Sequence, residues 1–118
     1  MLPAFLVPET TITANGSSPI LQIEGGEASR ILVTLGITEV VEQELLDLSI
    51  WDSPDGHTWG SHPIAAFPQK FYGGHWAILL DLARHPEARY LQARWTTMRW
   101  GRGDHTPRFT FFVFAEEF

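Results

Sequence analysis

The sequence contains no cysteine, which excludes disulfides, thiolate metal ligands and a cysteine nucleophile. It also has no run approaching the roughly 18 apolar residues that a membrane-spanning helix needs. Its first residues lack the basic stretch and long apolar core of a signal peptide. We therefore expect a soluble chain made without a signal peptide, while the cellular compartment stays open.

Positive charge is scarce, and the formal net charge is −6. This balance argues against a nucleic-acid partner, which proteins hold by neutralising phosphates. Residues 1–55 hold nine acids and one base, whereas residues 56–118 hold seven bases and five acids. The two halves are therefore predicted to attract each other, either within one fold or between subunits.

Catalytic signatures are missing as well. No G-x-S-x-G nucleophile motif occurs, and Gly25-Gly26 lacks the spacing of a phosphate-binding loop. The five histidines are scattered, and a zinc site built from His57, His62 and the nearby Asp55 is a weaker interpretation than exposed loop histidines. Arg102-Gly103-Asp104 spells a tripeptide that adhesion receptors bind, but so short a match arises by chance. We expect no enzyme, no cofactor and no metal.

The residues that are present favour a folded β protein. Apolar residues make up 44% and charged residues 19% of the chain, far from a disordered composition. Alternation of apolar and polar residues predicts strands at Arg30–Thr38, Leu46–Ile50 and Arg89–Arg99. The second of these runs into Ser53-Pro54-Asp55-Gly56, whose residues are typical of a turn.

Two further segments are apolar on both sides. Trp76–Leu82 is almost continuously apolar, which predicts a strand buried on both faces, with a helix as the alternative. In the last strand, Phe109, Phe111 and Val113 oppose Phe112 and Phe114. Both faces of that strand must be covered, so it is predicted to be central or to lie against a partner.

Weaker patterns complete the fold. Strands are predicted at Thr10–Ala14 and Ile20–Glu24, joined as a hairpin by the turn-like Asn15-Gly16-Ser17-Ser18. The count reaches about seven or eight short strands, which predicts an antiparallel β-sandwich or jelly roll. We expect residues 1–118 to form one such all-β domain.

Aromatic and arginine residues near predicted strand ends are the candidate binding residues. Large aromatic rings and guanidinium groups supply contact area with a polar handle, which protein interfaces and sugar-binding platforms both use. The alternative is that most of them close the ends of the sandwich. The candidates are Trp51, Trp59, Phe71, Tyr72, Trp76, Arg99, Trp100 and Arg102.

One resemblance involves LDLSIWDSPDGHTWG and the later ARYLQARW. These segments resemble two landmarks of discoidin-type (coagulation-factor C-type) domains, a Ser-x-Asp-Gly-x-x-Trp turn and an Ala-Arg-Tyr-Leu-Arg strand. Ser53, Asp55, Gly56 and Trp59 match the first landmark, and Gln92 stands where the second has Arg. The resemblance implies a β-sandwich that binds glycans or surfaces.

A second resemblance covers more of the chain. RILVTLGIT, LDLSIWDSPDG, RYLQARW and PRFTFFVF are together similar to the strands of small phage and prophage virion-type sandwich proteins. The HPIAAFPQKFYGGHW insert and the Trp100–Gly103 loop depart from that pattern. This resemblance implies a capsid- or tail-associated structural part.

Together these patterns predict a non-enzymatic assembly subunit that forms a homo-oligomer or decorates a larger, virion-like or extracellular particle. Contact between an acidic and a basic surface is heterologous, so it closes into rings or runs on into filaments. The alternative is a discoidin-like module in which Trp59, Tyr72, Trp76 or Trp100 stacks on a glycan.

Overall fold

The computed structural model describes residues 3–23, 30–101, 103 and 105–118. Within these ranges the chain forms nine strands and a single 3-10 turn, Leu82–Arg84. The strands are β1 (Ala4–Ile12), β2 (Gly16–Ser17), β3 (Leu21–Gln22), β4 (Arg30–Val40), β5 (Glu44–Ser53), β6 (Ala65–Ala66), β7 (Gly74–Asp81), β8 (Tyr90–Arg99) and β9 (Phe109–Glu117).

The strands form two antiparallel sheets that pack against each other as a β-sandwich. The first sheet has the order β1-β9-β4-β7. The second has the order β2-β8-β5-β6, with β3 also paired to β8. The predicted all-β, antiparallel sandwich class is thereby confirmed.

Alternation along the strands decides which side chains enter the core. On β4, Ile31, Val33 and Leu35 are fully buried, and the residues between them face outward. The same period places Leu46 and Ile50 of β5 in the core. Because side chains on a strand alternate between faces, an apolar residue at every second position is enough to give each sheet one buried face.

Aromatic contacts join the two sheets across the core. The Trp95 ring of β8 meets the Phe111 ring of β9 edge to face, with 5.4 Å between centroids. The indole N–H of Trp95 donates to the carbonyl of Ala14 at 3.1 Å, so its polar atom is satisfied. The contact therefore joins β8 of the second sheet to β9 of the first within the core.

A buried carboxylate fastens one end of the sandwich. Glu44 is 1% exposed, and its two oxygens accept from the backbone N–H groups of Val41 at 2.9 Å and Arg108 at 2.6 Å. Arg108 directly precedes β9 of the first sheet, whereas Glu44 opens β5 of the second. One side chain therefore links the two sheets through charge-assisted hydrogen bonds.

The N-terminal hairpin prediction was wrong. Strand β1 begins at Ala4, earlier than predicted, and it pairs with β9 of the first sheet. The short strands β2 and β3 pair with β8 of the second sheet instead. Turn residues alone do not show whether the chain turns back or crosses between sheets, which explains the error. The Glu24 end of the predicted second strand and the Gly25-Gly26 pair lie outside the described residues.

The two strands with apolar residues on both faces have different positions. Strand β9 lies between β1 and β4, as predicted for a central strand. Strand β7 is at a sheet edge, and Leu79 on its outer face is 45% exposed. The prediction that both faces of β7 are buried was therefore wrong, because its outward apolar side chains meet no second layer within the described domain.

The described residues contain one salt bridge between side chains. That contact is Arg84 with Asp81, at 3.7 Å, and both residues belong to the basic half. The described residues also contain no helix with the length and apolar character needed to cross a bilayer.

Candidate interaction surfaces

Four of the predicted binding residues meet at one end of the sandwich, in a group that we name the end cluster: Phe71, Tyr72, Trp76 and Trp100. The rings of Phe71 and Trp100 contact edge to face, with 6.4 Å between centroids. The rings of Tyr72 and Trp76 also contact edge to face, with 5.8 Å between centroids. Phe71, Tyr72 and Trp100 are each more than 40% exposed, at 49%, 63% and 42%.

Lys70 organises the inner side of the end cluster. Its backbone pairs with Leu46 of β5 in both directions, at 2.9 and 3.0 Å. Its ammonium lies 4.2 Å from the centroid of the Trp76 ring, a cation–π distance. Trp76 itself is half-buried and packs on the core, so it supports the cluster more than it offers a free ring face.

Trp51 and Trp59 lie apart from that cluster, on the outer face of the second sheet. The guanidinium carbon of Arg94 is 4.3 Å from the Trp51 ring centroid and 5.4 Å from that of Trp59. The Trp51 N–H donates to Ser49 Oγ at 2.9 Å, which orients the indole. The arginine that contacts these two rings is Arg94, which was not among the predicted residues.

Arg99 and Arg102 were the two arginines among the predicted binding residues. Arg99 donates from Nη1 to the Thr106 carbonyl at 3.2 Å, so it holds the loop before β9. Arg102 lies outside the described residues. The signal for Arg94 in the sequence is its polar position in the alternating β8 segment. In the structure it lies opposite Ser49 and two residue pairs from the Trp51–Gln92 pair, on the same face of the sheet.

The turn that carries Trp59 is held by two short side chains. Ser53 Oγ accepts from the N–H groups of Asp55 and Gly56, at 3.2 and 2.8 Å. Asp55 Oδ1 accepts from the N–H groups of Thr58 and His57, at 2.8 and 2.7 Å. These bonds, that from Thr58 first, lower the pKa of Asp55 from 3.8 to about 2. The turn therefore presents Trp59 on a defined backbone.

The outer face of the first sheet carries a group of apolar side chains around Phe112 and Phe114, with Thr34 of β4 among them, and the predicted site residues did not include this face. We name it the aromatic face. The Phe5 ring contacts the tilted ring of Phe114, with 4.9 Å between centroids, and meets Phe112 edge to face at 6.0 Å. Phe5 is 51% exposed, and neither Phe112 nor Phe114 is fully buried. The face consists of Phe5, Leu32, Ala77, Leu79, Phe112 and Phe114.

Gly36 explains why the Phe112 ring lies flat on the aromatic face. A Cβ atom at Gly36 would overlap ring carbons of Phe112, which therefore covers the glycine backbone of β4. The ring reaches towards His75 of β7, at 5.8 Å between centroids. A glycine in a strand interior is favourable here because an aromatic side chain takes the space above it.

The sequence already carried a signal for the aromatic face. Phe112 and Phe114 occupy the second face of a strand whose first face is core, and an ordinary half-solvated antiparallel strand has polar residues there. The predicted binding residues lie near strand ends, whereas this face lies in the middle of a sheet.

The described residues hold no group of three or more His, Cys, Asp or Glu side chains placed to bind a metal. The arrangement of side chains instead offers contact surfaces: an apolar sheet face, an exposed aromatic end and an Arg–Trp stack. The fold and these surfaces define the class as an antiparallel β-sandwich protein. Comparison of the sequence with models of known families and with curated proteins finds no match.

Proposed function

We propose that this protein is a non-enzymatic assembly subunit that self-associates through the aromatic face. The observation that carries the proposal is the outward packing of Phe5, Phe112 and Phe114 on a sheet whose other side is already core. Contiguous apolar patches on soluble proteins mark contact sites, because leaving them in water is unfavourable. The aromatic face of a second copy of the chain is suited to cover it, because both surfaces are apolar.

Geometry supports a symmetric contact. An antiparallel sheet is broad and regular, and two such faces pack aligned when their apolar side chains interdigitate. Two copies related by a two-fold axis present the same patch to each other, so one apolar face satisfies both. Charged residues stand at one end of this face, where Asp81 and Glu116 flank Leu79 and Leu32. That placement matches the polar rim of an interface.

The end cluster gives the assembly a second contact surface. Phe71, Tyr72 and Trp100 are exposed and sit on loops and strand ends away from the aromatic face. A subunit with two separate apolar surfaces contacts more than one neighbour, as the building block or decoration of a larger particle does. This is the role that the resemblance to virion-type sandwich proteins implies.

The test is absolute mass in solution. We expect light scattering behind a sizing column to give a multiple of the 13.3 kDa chain mass for the wild type. The double variant Phe114→Thr and Leu79→Thr should return the monomer, since threonine keeps the strand preference but removes the apolar contact. Met98→Thr is the matched control, because Met98 is 58% exposed on the other sheet.

Salt separates this interface from a charge-driven one. An apolar contact persists or tightens in sulfate, whereas attraction between the acidic and basic halves is screened by salt. A wild type that remains at 13.3 kDa at every protein and salt concentration would contradict the proposal. So would a double variant that keeps the wild-type mass.

A further inference from the structure

A groove crosses the outer face of the second sheet, on the opposite side of the sandwich from the aromatic face. Its floor is the paired strands β5 and β8, and β6 forms one wall with Ala66 and Phe67. The groove has a volume of about 280 Å³. That is near the lower limit of small-molecule pockets, about 300 Å³, and suits one or two sugar rings better than a protein segment.

The chemistry of the groove is mixed. Asp47, Ser49 and Trp51 alternate along β5, and Arg94 and Thr96 stand opposite them on β8. A carboxylate and a guanidinium thus share one groove with an indole ring. An anionic ligand would meet Asp47, and a cationic one would meet Arg94, so the set favours a neutral ligand that both donates and accepts hydrogen bonds.

The planar groups are held in place before any ligand arrives. Trp51 is fixed by its bond to Ser49, and Arg94 donates from Nε to Gln92 Oε1 at 3.1 Å. Since the guanidinium stacks on Trp51 and faces Trp59, its plane is constrained from two sides. Ordering these long side chains in advance reduces the entropy lost on binding.

Both polar groups keep hydrogen-bonding capacity. The bond of Arg94 to a described residue uses Nε, so its two Nη atoms remain for a ligand. Asp47 accepts from Gln69 Nε2 through Oδ2 at 3.0 Å, and Oδ1 makes no bond to the described residues. A diol on a pyranose ring accepts from a guanidinium, donates to a carboxylate and lays its C–H face on an aromatic ring.

We propose that this groove, lined by Asp47, Ser49, Trp51 and Arg94 with Trp59 beside Arg94, binds a neutral saccharide. The site goes beyond the assembly function, because it uses the other sheet and none of the aromatic face. It also differs from the earlier expectation for a glycan site, since Tyr72, Trp76 and Trp100 lie in the end cluster.

The experiment titrates the full chain with neutral methyl glycosides of glucose, galactose, mannose and N-acetylglucosamine, and with the disaccharides lactose and cellobiose. We expect at least one to produce saturable shifts in the ¹H–¹⁵N signals of the Trp51 and Trp59 indoles and of Arg94 Nε. The Trp100 indole is the internal control, because it lies outside the groove. Glycerol controls for polyol effects on the solvent.

Two variants test the residues. Trp51→Ala and Arg94→Lys should each weaken the affinity by about tenfold or more, through loss of the ring face or of the planar two-armed donor. Trp100→Ala should leave the affinity unchanged. The Trp95 indole signal reports whether each variant remains folded, since it depends on the buried bond to Ala14.

Absence of a saturable shift with every neutral sugar would overturn the proposal. So would equal affinity in the wild type and Trp51→Ala, or a response to glucuronate and sulfate alone, which would assign an anion site instead. Repeating the titration on Phe114→Thr with Leu79→Thr separates this outcome from failure of the assembly proposal, because the groove is intact in that variant.

Discussion

The two outer faces of the sandwich are built from the same kind of strand and differ in what they present to water. On the first sheet, the outward positions of β9 carry Phe112 and Phe114, which lie beside Phe5 of β1. The outward residues Ala77 and Leu79 of the edge strand β7 are apolar too. On the second sheet, the outward positions of β5 carry Asp47, Ser49 and Trp51. The first face offers apolar contact area that forms no directional bonds. The second face offers hydrogen-bonding side chains placed around an indole ring.

This difference indicates two kinds of contact. Burial of apolar area is non-directional and suits a partner with a matching flat face. A groove with a few placed polar groups suits a small ligand that must be oriented. Because the apolar face and the polar groove lie on opposite sheets, a subunit can associate through the first while the second stays accessible to a ligand.

The largest expected effect distinguishes the two faces of β9 itself. Phe111→Ala removes a fully buried ring from the core contact with Trp95 and should lower the free energy of unfolding by about 3–5 kcal/mol. Phe114→Ala, one strand face away, should cost the dissociated monomer about 1 kcal/mol or less. Urea denaturation at low protein concentration measures both.

Equal losses in the free energy of unfolding for the two variants would contradict this difference between the faces, because they would mean that the outward ring is as well packed as the inward one. Repeating the denaturation at several protein concentrations separates the effect on association from the effect on the monomer. As the protein concentration rises, Phe114→Ala should fall further behind the wild type, since association stabilises only the chain that associates.

The next effect concerns the glycine beneath the aromatic face. In Gly36→Ala the new methyl group would overlap the Phe112 ring, which must move off the sheet. We expect a loss of about 1–3 kcal/mol in the free energy of unfolding, the usual cost of overpacking, together with weaker self-association. Denaturation and light scattering measure the two effects.

Thr34→Ala is the matched control for that glycine, because Thr34 lies on the same face of the same strand. It should change the free energy of unfolding little, because alanine at this position adds no atom that would overlap a neighbouring ring. A Gly36→Ala variant with wild-type stability and mass would show that Phe112 is not held against the backbone of β4.

The smallest effect lies on the second face and depends on pH. The pKa of Asp55 is lowered from 3.8 to about 2 by its bonds to Thr58 and His57. The stabilisation from this carboxylate is therefore complete above pH 3.8 and is lost as the pH falls through about 2. Asp55→Asn should flatten the acid dependence of the urea midpoint over that range.

Glu87→Gln serves as the control for Asp55→Asn, since Glu87 is an exposed acid in another loop. Its acid dependence should match that of the wild type. If Asp55→Asn also matched the wild type, the turn that presents Trp59 would not depend on the ionised carboxylate.

Much of the local structure could be predicted from the residues. Period-2 alternation located β4, β5 and β8 to within a few residues, because a strand with one buried face needs an apolar side chain at every second position. The Ser53–Gly56 turn was equally predictable. The partners of the weak N-terminal strands were not, since pairing depends on long-range packing that turn residues do not report.

The candidate surfaces show the same division. Aromatic residues near strand ends were recognisable as binding candidates, and four of them do meet in the end cluster. The sequence did not show that Arg94, and not Arg99 or Arg102, would stack on Trp51. That contact requires the register in which Ser49 pairs with Arg94. A slip of β8 by one residue would turn the side chains of β8 to the opposite face and separate Arg94 from Trp51.

By itself, then, the sequence determined an all-β chain, its main strands and a last strand apolar on both sides, since these follow from composition and from a period of two along the chain. Only the tertiary structure decided that one apolar side of β9 remains at the surface and that Trp51, Trp59 and Arg94 come together. Those outcomes depend on which strands pair and on which face of each sheet packs against the other sheet. The free energies that choose between such pairings arise from contacts between residues far apart in the chain, which no local pattern encodes.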